Sequence, residues 1–333
     1  MILNGYSDDP SDAPSDAPSD KQAASLGTLT ALATADGSFS LHSSLFDESF
    51  HSSAGALNEA QVKFVIPAQL ERFDKAHQLG KTSLNVLDVC VGLGYNSAAL
   101  LEALQGISIS LQWWGLEIDP RPLALALQQP SFQNYWSPQV LELLWKIHDC
   151  HGWRTDSSQG SMLWGDARQQ LASLPKDLSF DLILLDAFSP SRCPQLWSEE
   201  FLNSLASRLA PGGRLLTYCR AAAIRASLRR AGLQLRSLLA APEERHGWSS
   251  GTLAFQADPD TFIASTGPGW QSLSAMEEEH LLTRAAVPYR DPTGKNNAEE
   301  IIKRRQQEQM SCTMASTSSW HRRWRGASCR GYR

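Results

Sequence analysis

The motif Asp88-x-Cys90-x-Gly92-x-Gly94 closes one strand-like run and opens a helical one. Its two glycines let the backbone turn tightly and approach a ligand closely. Three cofactors compete for such a loop. A phosphate-gripping loop requires Gly-Lys-Ser/Thr, and no lysine follows here. A dinucleotide site requires a third glycine where Ser97 stands, although Glu117 supplies the acid expected at the end of the next strand. S-adenosylmethionine uses the same geometry with an acid four residues before the first glycine. Asp88 holds that place, where it can organise the loop and approach the cofactor's cationic amino-acid end. Gly165-Asp166-Ala167 ends the third strand, where a carboxylate can accept from an adenine amino group, and Asp186 ends the fourth. Acids at successive strand ends suit a ribose, an adenine and a cation, but they repel a pyrophosphate. Alone, Asp166 reads as a helix N-cap. Together the acids favour a methyl-donor site over a dinucleotide site.

These residues need a scaffold, and the chain supplies alternating elements. Strand-like runs LNVLDVCV (84–91), LQWWGLEI (111–118), SMLW (161–164), FDLILLDAF (180–188) and RLLTYC (214–219) alternate with helical patterns at 96–104, 121–128, 167–174, 197–209 and 222–232. Pro211, Gly212 and Gly213 predict a turn, and 233–240 with 251–257 a terminal hairpin. The alternation predicts an α/β fold: a mainly parallel, seven-stranded sheet with helices on both faces and a ligand crevice at the strands' carboxyl ends. This domain covers about 80–257, with an insertion at 131–158. Around it the reading places a disordered acidic tail (1–35), a lid-like segment (36–79) and a basic, partly disordered extension (258–333).

The chain has 333 residues, net charge −5 and 42% hydrophobic residues. No apolar run reaches the length of a membrane span, and the acidic beginning does not resemble a secretory leader, so a cytoplasmic protein is expected. Six scattered cysteines without CxxC pairs fit reduced thiols. His148-Asp149-Cys150-His151 reads as loop residues, since four adjacent side chains cannot converge on one ion, and no metal is expected. Charge is uneven. Residues 301–333 hold eight cations against Glu308 alone, a solvated tail or an arm for nucleic acid. Residues 208–245 hold eight arginines against Glu243 and Glu244. Arg225 and Arg229, four apart on one helix, predict a basic face beside the site.

The segment DAFSPSRCPQLW (186–197) resembles the methyltransferase domain of the MnmC family, matching its Asp-Gly-Phe-Ala-Pro…Pro…Trp pattern at Asp186, Phe188, Pro190, Pro194 and Trp197, with Ala187 in place of glycine. DESFHSSAGALNEAQVKFV (47–65) is similar to a second family segment, at Asp47, Phe50, Ser52, Gly55 and Glu59. Asn96 also fits, although the loop lacks one family glycine. The resemblance covers about 40–257 and implies a Rossmann-like, class I S-adenosyl-L-methionine-dependent methyltransferase in a form without the family's flavin oxidase half. The implied reaction is N-methylation of the 5-aminomethyl group of wobble (2-thio)uridine, with a tRNA anticodon loop as partner. Asp186 would take the amine proton or orient the amine. Glu117 would hold the ribose, Asp166 the adenine, and Gly92 and Gly94 the methionine end. Asn96, Phe50 and Glu59 would complete the cofactor site, with Phe188, Pro190 and Trp197 beside the substrate base. Two rivals keep the fold: an aminopropyltransferase acting on a polyamine, and a non-catalytic RNA-binding protein on a methyltransferase scaffold.

Overall fold

A computed structural model describes residues 26–78, 82–240, 249–257 and 263–325. β1 (Leu29–Ala33), β2 (Phe39–Ser43) and β3 (Glu48–Ser49) form a small antiparallel sheet. The main sheet comprises β4 (Ser83–Val89), β5 (Ser110–Glu117), β6 (Gly152–Arg154), β7 (Ser158–Trp164), β8 (Phe180–Leu185), β9 (Leu209–Thr217), β10 (Gln234–Leu238), β11 (Gly251–Phe255), β12 (Thr266–Gly267) and β13 (Trp270–Gln271). Its order is β12-β13-β10-β11-β9-β8-β4-β5-β7-β6. The five strands from β9 to β7 pair in parallel, and the flanking ones are antiparallel.

The expected mainly parallel centre and the β10–β11 hairpin are both present. The sheet is wider than seven strands because β6, β12 and β13 extend its edges. The apolar run of β8 is buried along its whole length, as a central parallel strand requires. β4 divides its side chains between two cores. Leu84 and Val86 join one with Trp113 and Leu100, while Leu87 and Val89 join the other with Ile183 and Leu215. From β4 the chain winds outward through β5 and β7, then returns to β8 on β4's other side. The order therefore reverses between β4 and β8, and a crevice opens at their carboxyl ends.

Several local expectations need correction. Residues 131–158 include the helix Pro138–Cys150, whose Val140, Leu144 and Ile147 are buried, so this segment forms part of the core. His148 and Asp149 lie on that helix rather than in a loop. Pro211–Gly213 lie inside β9, where the register jumps from Phe180↔Leu209 to Leu182↔Arg214, so the extra residues make a bulge. Residues 29–33 form a strand, while the repeat at 11–20 lies outside the described residues. Of the extension, residues 263–325 are described and include helices Ala298–Ser311 and Thr317–Trp324. Among the described residues, no helix is long and apolar enough to cross a membrane, and no cluster of three or more His, Cys, Asp or Glu side chains could hold a metal ion.

Candidate active site

A cavity of about 460 Å³ lies at the crevice, within the range of small-molecule sites. Its wall includes Gly92 after β4, Glu117 at the end of β5, Asp166 after β7 and Asp186 after β8. The amino-terminal segment completes the wall with Phe46, Phe50, His51, Glu59 and Lys63. Seven of the proposed site residues therefore meet at one cavity: Phe50, Glu59, Gly92, Glu117, Asp166, Asp186 and Phe188.

The turn out of β4 is unusual from its first residue. Cys90 has a φ of 69°, in the left-handed region, and its amide donates to the Leu116 carbonyl at 2.8 Å. Gly92 also has positive φ, and its amide donates to Glu117 Oε2 at 2.9 Å. The other Glu117 oxygen accepts from the amides of Ile118 (2.6 Å) and Asp119 (2.9 Å). Glu117 is thereby fixed between the glycine loop and its own strand end. Gly94 serves packing instead. It begins the helix Tyr95–Ala103 with a φ of 88°, and a Cβ there would approach Leu123 Cδ1 to 2.9 Å.

Asp88 stands behind this loop and is absent from the cavity wall, which corrects its direct approach to the cofactor. It is fully buried and accepts from Ser97 Oγ at 2.5 Å. Burial, opposed by the Ser97 hydrogen bond and reinforced by the charges of Asp186 and Glu117, raises its pKa to about 7. Its role is to fasten the loop to the helix.

Asp186 is the acid best placed for proton chemistry. Asn96 Nδ2 donates to its Oδ2 at 2.7 Å, so Asn96 holds the carboxylate. Enclosure by protein, with the charge of Glu59 adding to it, raises the Asp186 pKa to about 7, against the Asn96 hydrogen bond and the Lys63 charge. Lys63 Nζ pairs with Glu59 Oε1 at 3.1 Å on the same cavity wall. At neutral pH Asp186 can therefore both hold and release a proton. His51 contributes no charge, because burial pushes its pKa down to about 4.

Asp166 caps the helix Ala167–Ser173, accepting from the Arg168 amide at 2.9 Å, while still lining the cavity. Phe188 stacks on Phe46 with ring centroids 4.4 Å apart and meets Phe50 edge-on at 4.9 Å. Trp197 does not join this aromatic wall. It is fully buried, and its Nε1 donates to the Phe188 carbonyl at 2.7 Å, fixing the loop from behind. Pro190 lies in the same loop but outside the cavity lining.

Among the described residues, the basic face predicted at 208–245 is not present. Arg225 is 1% exposed and pairs with Glu277 at 2.7 Å, while also bonding Thr252, Ser249 and the Gly251 carbonyl. Arg229 pairs with Glu278, and Arg230 with Glu199. Arg208, Arg214, Arg220 and Arg236 donate to backbone carbonyls. Arg245 lies outside the described residues. These guanidiniums staple the fold together, so Arg225 and Arg229 are withdrawn as RNA contacts. The cavity residues missed from sequence include Phe46, His51, Lys63 and Arg168. Lys63, four residues after Glu59, offered the one local signal.

A family model described as S-adenosyl-L-methionine-dependent methyltransferase matches residues 130–251. An uncharacterized protein of Methanocaldococcus jannaschii is 26% identical over 292 residues, covering 82% of this chain and 70% of that protein. The tRNA 5-methylaminomethyl-2-thiouridine biosynthesis bifunctional protein MnmC of Azoarcus sp. is 31% identical over 208 residues, 58% of this chain and 31% of MnmC. This chain spans less than half the length of the MnmC relatives it matches. In fold it is similar to the crystal structure of MNMC2 from Aquifex aeolicus, with a TM-score of 0.71, 24% identity and 86% of each chain covered.

Fold, crevice and family match define an S-adenosyl-L-methionine-dependent methyltransferase of the Rossmann-like α/β type. The residues present fit that cofactor: the carboxylates of Glu117, Asp166 and Asp186 and the Gly92 backbone border a cavity that also presents the aromatic groups of Phe46, Phe50 and Phe188. More particularly, the chain is similar to MnmC in sequence and to MNMC2 in fold.

Proposed function

We propose that this protein N-methylates the 5-aminomethyl group of wobble (2-thio)uridine in tRNA, acting in the cytoplasm on a base drawn from the anticodon loop. The observation that carries this reading is the Asn96-tethered Asp186 carboxylate in the wall of a cavity that also presents Phe46, Phe50 and Phe188. An alkylamine has a pKa of about 10.4 in water and must lose its proton before it can attack. Asn96 engages Asp186 Oδ2, which leaves Oδ1 to accept that proton. The aromatic cluster offers a flat apolar surface for an unstacked base, as recognition of single-stranded RNA requires.

S-adenosyl-L-methionine supplies, when bound, an electrophilic methyl group on a sulfonium. Glu117 and Asp166 would hold its ribose and adenine, Gly92 would let the backbone approach its amino-acid end, and Phe50 and Glu59 would close the site from the amino-terminal segment. Alignment of amine and methyl within this wall accounts for much of the rate. Phosphate contacts must come from outside the 208–245 arginines. The final helix offers exposed His321 and Arg322, and Arg325 just after it, for this purpose.

The test is nucleoside mass spectrometry of undermodified tRNA incubated with the protein and isotopically labelled methyl donor. The reading expects label on the side-chain nitrogen of the wobble nucleoside. Absence of label there, in protein that still binds S-adenosylhomocysteine, overturns it. A parallel incubation with putrescine and the decarboxylated cofactor is expected to yield no aminopropyl transfer.

A further inference from the structure

The carboxylate of Asp166 is held from a part of the chain far from the sheet. Arg168 donates to both its oxygens, from Nε to Oδ1 at 3.0 Å and from Nη2 to Oδ2 at 2.6 Å. The remaining nitrogen, Nη1, points to the carboxyl-terminal segment, donating to Asp291 Oδ2 at 2.6 Å and to the Asn296 carbonyl at 3.1 Å. Asp291 is itself rigidly placed. It is 1% exposed, its Oδ1 accepts from the amides of Lys295 (3.2 Å) and Asn296 (3.1 Å), and its own amide donates to Glu200 Oε2 at 2.7 Å. Arg168 and Asp166 line the cavity, whereas Asp291 does not.

We propose that Asp291 is a positioning residue for the cofactor. It anchors the outer end of the Arg168 guanidinium, and Arg168 in turn fixes the Asp166 carboxylate at the adenine end of the site. An arginine side chain has many rotamers, so a two-oxygen grip is productive only when something orders the fork. The loop from Asp291 to Asn296 does this with a charge-assisted bond and a carbonyl, two contacts that the helix bearing Arg168 cannot provide. The segment after the last long strand is thereby part of the cofactor site although it contributes no atom to the cavity wall. This assignment holds whichever acceptor is methylated.

The experiment uses the full chain and isothermal titration with S-adenosylhomocysteine. Asp291→Asn keeps the size of the side chain and an oxygen for the Lys295 and Asn296 amides, but removes the charge that Arg168 meets. It is expected to weaken binding roughly tenfold. In steady-state assays the cofactor KM is expected to rise by a similar factor, while kcat at saturating cofactor falls far less. Arg168→Gln is expected to weaken binding at least as much, and adding Asp291→Asn to it to cost nothing further. Parent-like affinity in folded Asp291→Asn, or losses that multiply in the double variant, would overturn the proposal. If Asp291→Asn does not fold, Arg168→Gln decides alone: roughly tenfold weaker binding sustains the proposal, and unchanged affinity refutes it.

Discussion

Asn96 Nδ2 and Asp186 Oδ2 lie 2.7 Å apart although the residues are separated by 90 positions. The first turn of the helix after the glycine loop thus reaches across to the end of β8 and holds its acid. This contact connects the cofactor loop to the proposed proton acceptor, and it can be removed without touching either backbone.

Asn96→Ala tests that connection through pH. The amide donor stabilises the charged carboxylate, so its loss raises the Asp186 pKa further above about 7. A base must be deprotonated to act. The acidic limb of the pH–rate profile is therefore expected to move upward by about 1 pH unit, with the variant slower at pH 6 and approaching the parent rate at pH 9. A limb that stays in place would show that Asn96 does not govern the charge on Asp186.

Asp88→Asn tests the buried acid behind the loop. Its folded pKa, raised to about 7, lies above the unfolded value, so the native state retains a proton that the unfolded chain releases. The stability associated with this group is complete below about pH 4 and is lost as pH rises to about 7. An amide carries no such penalty. The thermal midpoint of Asp88→Asn is expected to gain on the parent between pH 4 and pH 7 and then hold a constant difference. A difference independent of pH would show that Asp88 ionises normally in the folded protein.

Arg225 distinguishes a structural arginine from an RNA contact. Removing one partner of a buried ion pair costs about 3–5 kcal/mol, because the other charge is left unpaired. Arg225→Ala is expected to lower unfolding stability in urea by an amount of this order, with no change in the RNA affinity of the folded fraction. Weaker RNA binding at parental stability would restore the basic-face reading.

The course of Arg225 shows where sequence reasoning reached its limit. Spacing of four residues from Arg229 suggested a basic face beside the site, but the partner that draws Arg225 inward is Glu277, 52 positions later in a segment read as a partly disordered extension. Asp291 and Arg168 escaped notice for the same reason, since their contact spans 123 positions. Local signals served better. The acids at the ends of β4, β5, β7 and β8 were legible because a parallel sheet forces strand ends to one edge. The loop glycines were legible because Gly92 and Gly94 take positive φ, which glycine adopts without a steric cost. Trp197 illustrates the opposite case: a motif residue expected beside the substrate faces the core, where its indole secures the Phe188 carbonyl.

Phe188→Ala probes the aromatic wall. Stacking of a base on an aromatic side chain contributes about 1–3 kcal/mol. The KM for tRNA is expected to rise by roughly fivefold to a hundredfold, with S-adenosylhomocysteine affinity nearly unchanged. Equal losses in both would place Phe188 in the cofactor site instead.

The central claim is that Asp186, in the wall of the shared cavity, handles the acceptor's proton and contributes little to cofactor affinity. Asp186→Asn measured by titration with S-adenosylhomocysteine and by single-turnover methyl transfer addresses both halves at once. The expected result is cofactor affinity within about twofold of the parent and a rate reduced by about 10²–10⁴, the usual contribution of a positioned general base. Methyl transfer at close to the parental rate would contradict the account.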